Sequence, residues 1–135
     1  MAEKKKKILL VDDEVDIVTM IRLRLEASGF EVVVATDGKE ALNAARTHNP
    51  DLIILDLMLP TMDGFHVARM LKYDARYKAI PIIMLTAKAG ANDRKTGEQV
   101  GVDAYFNKPF EAEKLLGKIR ELLTLKDSAN DENKN

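Results

Sequence analysis

Five side chains in this sequence have the types and the placement to do chemistry together: Asp12, Asp13, Asp56, Thr86 and Lys108. Each closes a strand-like run. Asp12 and Asp13 follow ILLV, Asp56 sits early in IILDLMLPTMDG (residues 53–64), Thr86 ends PIIML, and Lys108 precedes Pro109 after a short stretch around Ala104 to Phe106. An unpaired carboxylate inside a buried strand carries a desolvation cost of several kcal/mol, which places Asp56 at its strand's exit, where the chain turns through Pro60 and Gly64. Taken alone, Asp56 reads equally as a cap on that turn. Four segments ending in the same way point instead to one shared edge.

Two carboxylates about 4 Å apart repel by roughly 4 kcal/mol at an effective dielectric of 20, so three converging on one edge invite a divalent cation. With oxygen donors only, Mg2+ is the leading candidate and Mn2+ a substitute. Mg2+ is commonly held by one or two carboxylates, with waters and phosphate oxygens completing its octahedron, which leaves one carboxylate free to react. An aspartate can attack a phosphoryl group to give an acyl phosphate, in a transfer catalysed mainly by positioning and charge neutralisation. Asp56 is the expected nucleophile. The Lys108 ammonium and the Thr86 hydroxyl are the expected partners of the phosphoryl oxygens.

The elements that must position these groups follow from the apolar pattern. Residues 8–11, 31–35, 52–56, 81–85 and 102–106 read as five short strands, mostly continuous apolar runs of the kind buried on both faces. Between them lie helical patterns: 14–28 with Val15, Val18, Ile21 and Leu25 in phase and Gly29 as the stop, and 38–48 with Ala41, Leu42 and Ala45 before Asn49 and Pro50. A third helix over about 64–73 takes Asp63 as its cap, and a fifth over 111–125 aligns Leu115, Ile119, Leu122 and Leu123. The fourth, residues 91–101, shows little apolar periodicity and carries Gly97 inside it, at a cost of about 1 kcal/mol against alanine, so it is the helix expected to be least stable. Strict alternation with right-handed crossovers predicts an α/β protein: a doubly wound five-stranded parallel sheet with five helices in three α/β/α layers, and a site beyond the carboxyl ends of the strands.

The 135 residues suit one domain with a sizeable core, 46% hydrophobic and 32% charged. A formal net charge of −1 supplies no field for nucleic acid or an anionic membrane, and the absence of cysteine excludes disulfides, thiolate catalysis and cysteine-bound zinc. The apolar run before Asp12 is too short for a signal core or a membrane span, so the chain reads as soluble and cytoplasmic. Residues 1–5 read as a basic N-terminal tail, with Lys4 to Lys7 a solvated end or a patch for an acidic partner. Residues 126–135 read as a disordered polar tail. His48 and His66 have no second histidine at ligand spacing.

The motifs VDDE at 11–14, LDLMLPTMDG at 55–64, the strand end at Thr86 and YFNKPF at 105–110 together resemble the bacterial response-regulator receiver domain, in its stand-alone, chemotaxis-like form, over roughly residues 6–125. The resemblance implies the flavodoxin-like strand order 2-1-3-4-5. It implies that Asp56 takes a phosphoryl group from a phosphohistidine on a sensor histidine kinase or a histidine phosphotransfer protein. Mg2+ would be held by Asp12, Asp13, Asp56 and the backbone carbonyl of Met58. Thr86 and Tyr105 would form a switch pair, and a cis bond between Lys108 and Pro109 would aim the lysine. The output would be a downstream protein target docking on the surface of helix 4, strand 5 and helix 5, with no direct contact to nucleic acid. The domain would be a monomer when unphosphorylated, with dimerisation open to the activated form. It would be a phosphoacceptor that contributes catalysis to its own turnover rather than an enzyme.

Plainer readings stand beside these: Tyr105 as a strand residue with a surface hydroxyl, Pro109 as the start of the last helix, and the whole domain as a scaffold that is never phosphorylated. The positions two after the phosphoacceptor and two after the switch hydroxyl, Met58 and Lys88, are neither carboxylates nor amides and would tune the lifetime of the phosphoryl group by hindering water. Other classes fit less well. A dehalogenase-type phosphatase resembles DxD, and the second position here is Met58; a flavin phosphate would be repelled by Asp12, Asp13 and Glu14; a P-loop would need a glycine upstream of Gly38 and Lys39.

Overall fold

A computed structural model describes residues 4–87 and 91–133. Strand and helix alternate throughout: β1 (Lys7–Val11), α1 (Val15–Ala27), β2 (Glu31–Ala35), α2 (Gly38–His48), β3 (Leu52–Leu55), α3 (Gly64–Lys72), β4 (Ile82–Thr86), α4 (Ala91–Val100), β5 (Ala104–Asn107) and α5 (Ala112–Asn133). Every pairing is parallel and the order is β2-β1-β3-β4-β5, the doubly wound flavodoxin-like arrangement.

Successive residues of a strand face opposite ways, and both faces here are apolar, so the sheet needs a helical layer on each side. Leu9, Val11, Ile53, Leu55, Ile82 and Met84 pack with Ala41, Leu42 and Ala45 of α2, Val67, Ala68 and Leu71 of α3, and Val100 of α4. The alternate residues Ile8, Leu10, Leu52, Ile54, Ile83 and Leu85 pack with Ile21 and Leu25 of α1 and with Leu115, Leu116, Ile119 and Leu123 of α5. Burying one such aliphatic side chain is worth roughly 1.5–3 kcal/mol, so the two cores together fix where the strand ends lie.

Local chemistry sets the helix starts. The Asp63 carboxylate accepts the His66 N–H and caps α3, and Asp37 does the same for α2 by accepting the Glu40 N–H, a cap the sequence reading passed over. Gly64 opens α3 where a Cβ would stand 2.3 Å from the Asp56 carbonyl oxygen and 2.8 Å from Leu57 Cα; only glycine lets α3 begin so close to the turn that follows β3. Gly29 ends α1 with φ +94.

Several expectations need correction. Residues 126–133 are not a disordered tail: α5 runs on to Asn133, and its extension is tied to the base of the sheet, where Lys6 Nζ meets Asp127 at 3.0 Å and Lys126 Nζ donates to the Asp51 carbonyl at 3.4 Å. Val15 does not share the buried stripe of α1, being 75% exposed; the stripe starts at Ile17 and Val18. Asp56 lies just after β3 rather than in it, β4 runs one residue later to include Thr86, and β5 starts at Ala104. Among the described residues no helix is long and apolar enough to cross a membrane.

Candidate functional site

The carboxyl ends of β1, β3, β4 and β5 bring Asp12, Asp13, Asp56, Thr86 and Lys108 to one edge. Carboxylate oxygens of Asp12, Asp13 and Asp56 all lie within 4.8 Å of one another. The main chain holds them there: the Asp12 N–H donates to Ala35 O at 3.1 Å and the Asp56 N–H to Val11 O at 2.9 Å, so both residues stay hydrogen-bonded to a neighbouring strand end. Each carboxylate is also fixed by the turn that follows it. The Glu14 N–H donates to Asp12 Oδ1 at 2.9 Å, and the Met58 N–H donates to Asp56 Oδ1 at 3.1 Å.

Asp12 and Asp56 are buried, 1% and 3% exposed, whereas Asp13 faces solvent. The burial of Asp56 is greater than its position at a strand exit would suggest, and Lys108 offsets part of the cost. The Lys108 ammonium donates to Asp12 Oδ2 at 2.7 Å, to Glu14 Oε1 at 2.9 Å and to Asp56 Oδ2 at 3.3 Å. Its own backbone N–H donates to Thr86 O at 2.9 Å, and the bond from Lys108 to Pro109 is cis. Thr86 is fully buried at the end of β4. Sequence reasoning missed Glu14 as a partner of Lys108; the signal available was a third acid in VDDE at a helix-cap position that glutamate fills poorly.

The electrostatics are those of a site with too little positive charge. Burial raises the Asp56 carboxyl above its ordinary 3.8; the Met58 N–H and the Lys108 ammonium pull it down and the Asp12 charge pushes it up, with a net rise. Burial by itself would lower Lys108, but its bonds to Asp12 and Glu14 and the charges of Asp12 and Asp56 raise it above its ordinary 10.5. The two shifts look contradictory for an ion pair. They agree once the distances are compared: Lys108 sits closer to Asp12 and Glu14 than to Asp56, which is left under-compensated. The hard carboxylate oxygens that Asp12, Asp13 and Asp56 gather within 4.8 Å suit a small divalent cation such as Mg2+.

Tyr105 packs on the α2–α4 side of the sheet, and its hydroxyl is enclosed with no hydrogen-bond partner among the described residues. The Arg94 guanidinium lies 5.3 Å from its ring centroid. Gly97 fits beside the ring: a Cβ there would stand 3.4 Å from Tyr105 Cδ2 and 3.0 Å from Val102 Cγ2, so the residue that weakens α4 also makes room for the tyrosine. Met58 is 56% exposed beside Asp56; Lys88 lies outside the described residues.

Comparison with known proteins places this geometry. Residues 8–120 match the family model described as "Response regulator receiver domain". The chain is 45% identical over 118 residues to the alkaline phosphatase synthesis transcriptional regulatory protein PhoP of Bacillus subtilis (strain 168), covering 87% of this chain and 48% of the relative. A CheY-like receiver domain of Methanospirillum hungatei JF-1 superposes with a TM-score of 0.88 at 29% identity, covering 93% of this chain and 99% of that one. The receiver domain of a sensor histidine kinase from Pseudomonas aeruginosa PAO1, solved with a magnesium ion coordinated in the active-site cleft, gives a TM-score of 0.82 at 31% identity, covering 90% and 99%. The chain spans about half the length of the curated relatives it matches. With the strand order, the acidic cluster and the match over residues 8–120 in agreement, the chain belongs to the response regulator receiver domain family.

Proposed function

We propose that this domain works as an aspartyl-phosphate switch with Asp56 as its sole phosphoacceptor. Receiver domains are signalling switches of two-component systems rather than enzymes in the ordinary sense, and they pair with histidine kinases. The observation that carries the finer reading is a buried carboxylate, Asp56, left under-compensated at a strand end between Asp12 and Lys108. In the transfer an Asp56 carboxylate oxygen forms a bond to phosphorus as the P–N bond of a partner's phosphohistidine breaks. The electron pair leaves with the imidazole nitrogen, which takes up a proton. Asp12, Asp13, Asp56 and the Met58 carbonyl would hold Mg2+, whose charge neutralises phosphoryl oxygens. Lys108 and the Thr86 hydroxyl bind the same oxygens.

Tyr105 and α4 carry the signal outward in this reading. A hydroxyl that is enclosed and without a partner among the described residues costs about 1–3 kcal/mol, so the Tyr105 packing is readily reset when Thr86 moves. Between residues 93 and 100, α4 buries only Gly97 and Val100, whereas α5 buries Leu115, Leu116, Ile119 and Leu123. The α4, β5 and α5 surface is therefore the proposed docking face for a downstream protein. Met58 shields Asp56 from in-line water, which favours a long-lived phosphoryl group, and Met58→Asn should shorten it.

Incubation with Mg2+ and acetyl phosphate, followed by intact-mass measurement, tests the reading. A single hydroxylamine-labile phosphoryl adduct should form on the parent and be absent from Asp56→Asn. The same adduct on the variant would overturn the assignment. No adduct on either protein would favour a scaffold that binds partners without being phosphorylated.

A further inference from the structure

We infer that Glu14 is a positioning residue that holds the Lys108 ammonium on the β1–α1 side of the site, so that Lys108 reaches an incoming phosphoryl group by letting go of Glu14. The inference rests on the assignment of Asp56 as phosphoacceptor and adds a residue to that site. An ammonium has three hydrogens, and those of Lys108 are directed at Asp12, Glu14 and Asp56 at 2.7, 2.9 and 3.3 Å. The longest contact is the one to the carboxylate that must react.

The three anchors differ in what it takes to release them. The Asp12 and Asp56 side chains are 1% and 4% exposed, so neither can turn to water. The Glu14 side chain is 54% exposed while Lys108 is only 7% exposed. Glu14 is therefore the arm that can exchange a buried ammonium for solvent, and the other two cannot.

The main chain of Glu14 is already committed. Its N–H donates to Asp12 Oδ1 at 2.9 Å, and its carbonyl accepts the Val18 N–H at 3.0 Å. It occupies the N-cap of α1, yet its side chain makes no capping hydrogen bond. An N-cap normally uses its side-chain oxygen on the first turn. Here the carboxylate is turned across the site to Lys108, which gives a glutamate at that position a reason that helix capping does not. A plain interaction with the α1 dipole would require only the charge, as at Asp16 in the first turn of the same helix.

The test compares the parent with Glu14→Gln and, as a charge control, Asp16→Asn. In the first arm, 15N NMR of the Lys108 ζ-ammonium is recorded on unphosphorylated protein. Glu14→Gln should shift the signal and speed its hydrogen exchange, and Asp16→Asn should leave it unchanged; a signal unmoved by Glu14→Gln overturns the inference. In the second arm, the rate of adduct formation with acetyl phosphate and Mg2+ should rise about two- to fivefold in Glu14→Gln, because the charge-assisted bond to Lys108 becomes a weaker neutral one and the ammonium is released more readily to the phosphoryl group. That rise should vanish when Lys108→Ala is the background. An equal rise in both backgrounds would show that Glu14 acts only through its charge on the anionic donor, and would overturn the inference. A parent that forms no adduct while the NMR arm responds would refute the phosphoacceptor assignment and leave the Glu14–Lys108 contact standing.

Discussion

At the carboxyl edge of the sheet Asp12 and Asp56 are almost fully buried and share one ammonium with the exposed Glu14. At the amino edge of the same strands the charged groups are more exposed and tied to partners. The Lys7 N–H donates to Asp51 Oδ2 at 2.7 Å, the Asp51 N–H returns to Lys7 O at 2.7 Å, Lys6 pairs with Asp127 at 3.0 Å, and Lys7 Nζ donates to His48 O at 3.2 Å. Charge at the amino edge helps to hold the fold. Charge at the carboxyl edge is divided, since folding favours the Lys108 ammonium but disfavours the Asp56 carboxylate. That contrast is what separates a site from a surface in a molecule whose net charge says nothing.

The largest expected effect is steric and separates the glycines of the two edges. In Gly64→Ala the new methyl would fall 2.3 Å from the Asp56 carbonyl oxygen, which must move together with the turn after β3, and the loss should be about 3 kcal/mol. At the amino edge, Gly29 has nothing within 4 Å of an added Cβ and is needed only for its φ of +94, so Gly29→Ala should cost about 1 kcal/mol. Denaturant melts of both variants check this. Equal costs would show that the close approach at Gly64 is easily relaxed.

Removing a carboxylate should have opposite signs at the two edges. Asp51→Ala leaves the Lys7 N–H without its acceptor in a part-buried position and should cost about 1–3 kcal/mol. Asp56→Asn, measured in EDTA, should stabilise at neutral pH by on the order of 1 kcal/mol, because it removes a buried charge facing Asp12. The sign with pH follows from the raised Asp56 carboxyl. Folding disfavours its ionised form, so the gain is full above the folded pKa and fades as pH falls through it to the ordinary 3.8. A destabilised Asp56→Asn at neutral pH would mean that Lys108 compensates Asp56 fully.

The carboxyl edge was largely legible in the sequence, because apolar runs that each end in a polar residue report strand ends directly, and the doubly wound topology brings those ends together. Asp12, Asp56, Thr86 and Lys108 were found in that way. Glu14 was not, since its partner lies 94 residues away and an exposed glutamate at a helix start has an ordinary reading. The amino edge was poorly legible for a related reason. Residues 126–133 carry no apolar period, and they stay helical by continuing a helix already anchored through Leu115, Ile119 and Leu123, with Lys6 and Asp51 as distant partners. Periodicity reports burial and is blind to such ties. Gly97 was read only as a weakness in α4, because the tyrosine that needs the space belongs to the next strand.

Mg2+ should sharpen the comparison by stabilising one edge alone. At a concentration tenfold above its dissociation constant it should add about 1.4 kcal/mol to the parent. In Asp13→Ala most of that gain should be lost, while the fold itself stays intact. A thermal midpoint of the parent that does not respond to Mg2+ would remove the cation from the site.

The smallest effect is expected at Lys126, which departs from its described neighbours at the amino edge. Its folded pKa lies below the ordinary 10.5, first because of burial and then because of Lys6, with Asp51 and Asp127 pulling the other way. The hydrogen bond from its ammonium to the Asp51 carbonyl, at 3.4 Å, is long and offers limited compensation. Folding therefore disfavours the charged form, and Lys126→Met, which keeps the stem, should stabilise at neutral pH by less than about 1 kcal/mol. With a lowered lysine pKa, that gain is full well below the folded pKa and disappears as pH rises through it towards 10.5. The gain of Asp56→Asn disappears in the acid direction, so the two variants melted across pH should diverge in opposite senses. A Lys126→Met protein less stable than the parent at neutral pH would show that the bond to Asp51 outweighs burial, and would return Lys126 to the group of compensated charges around it.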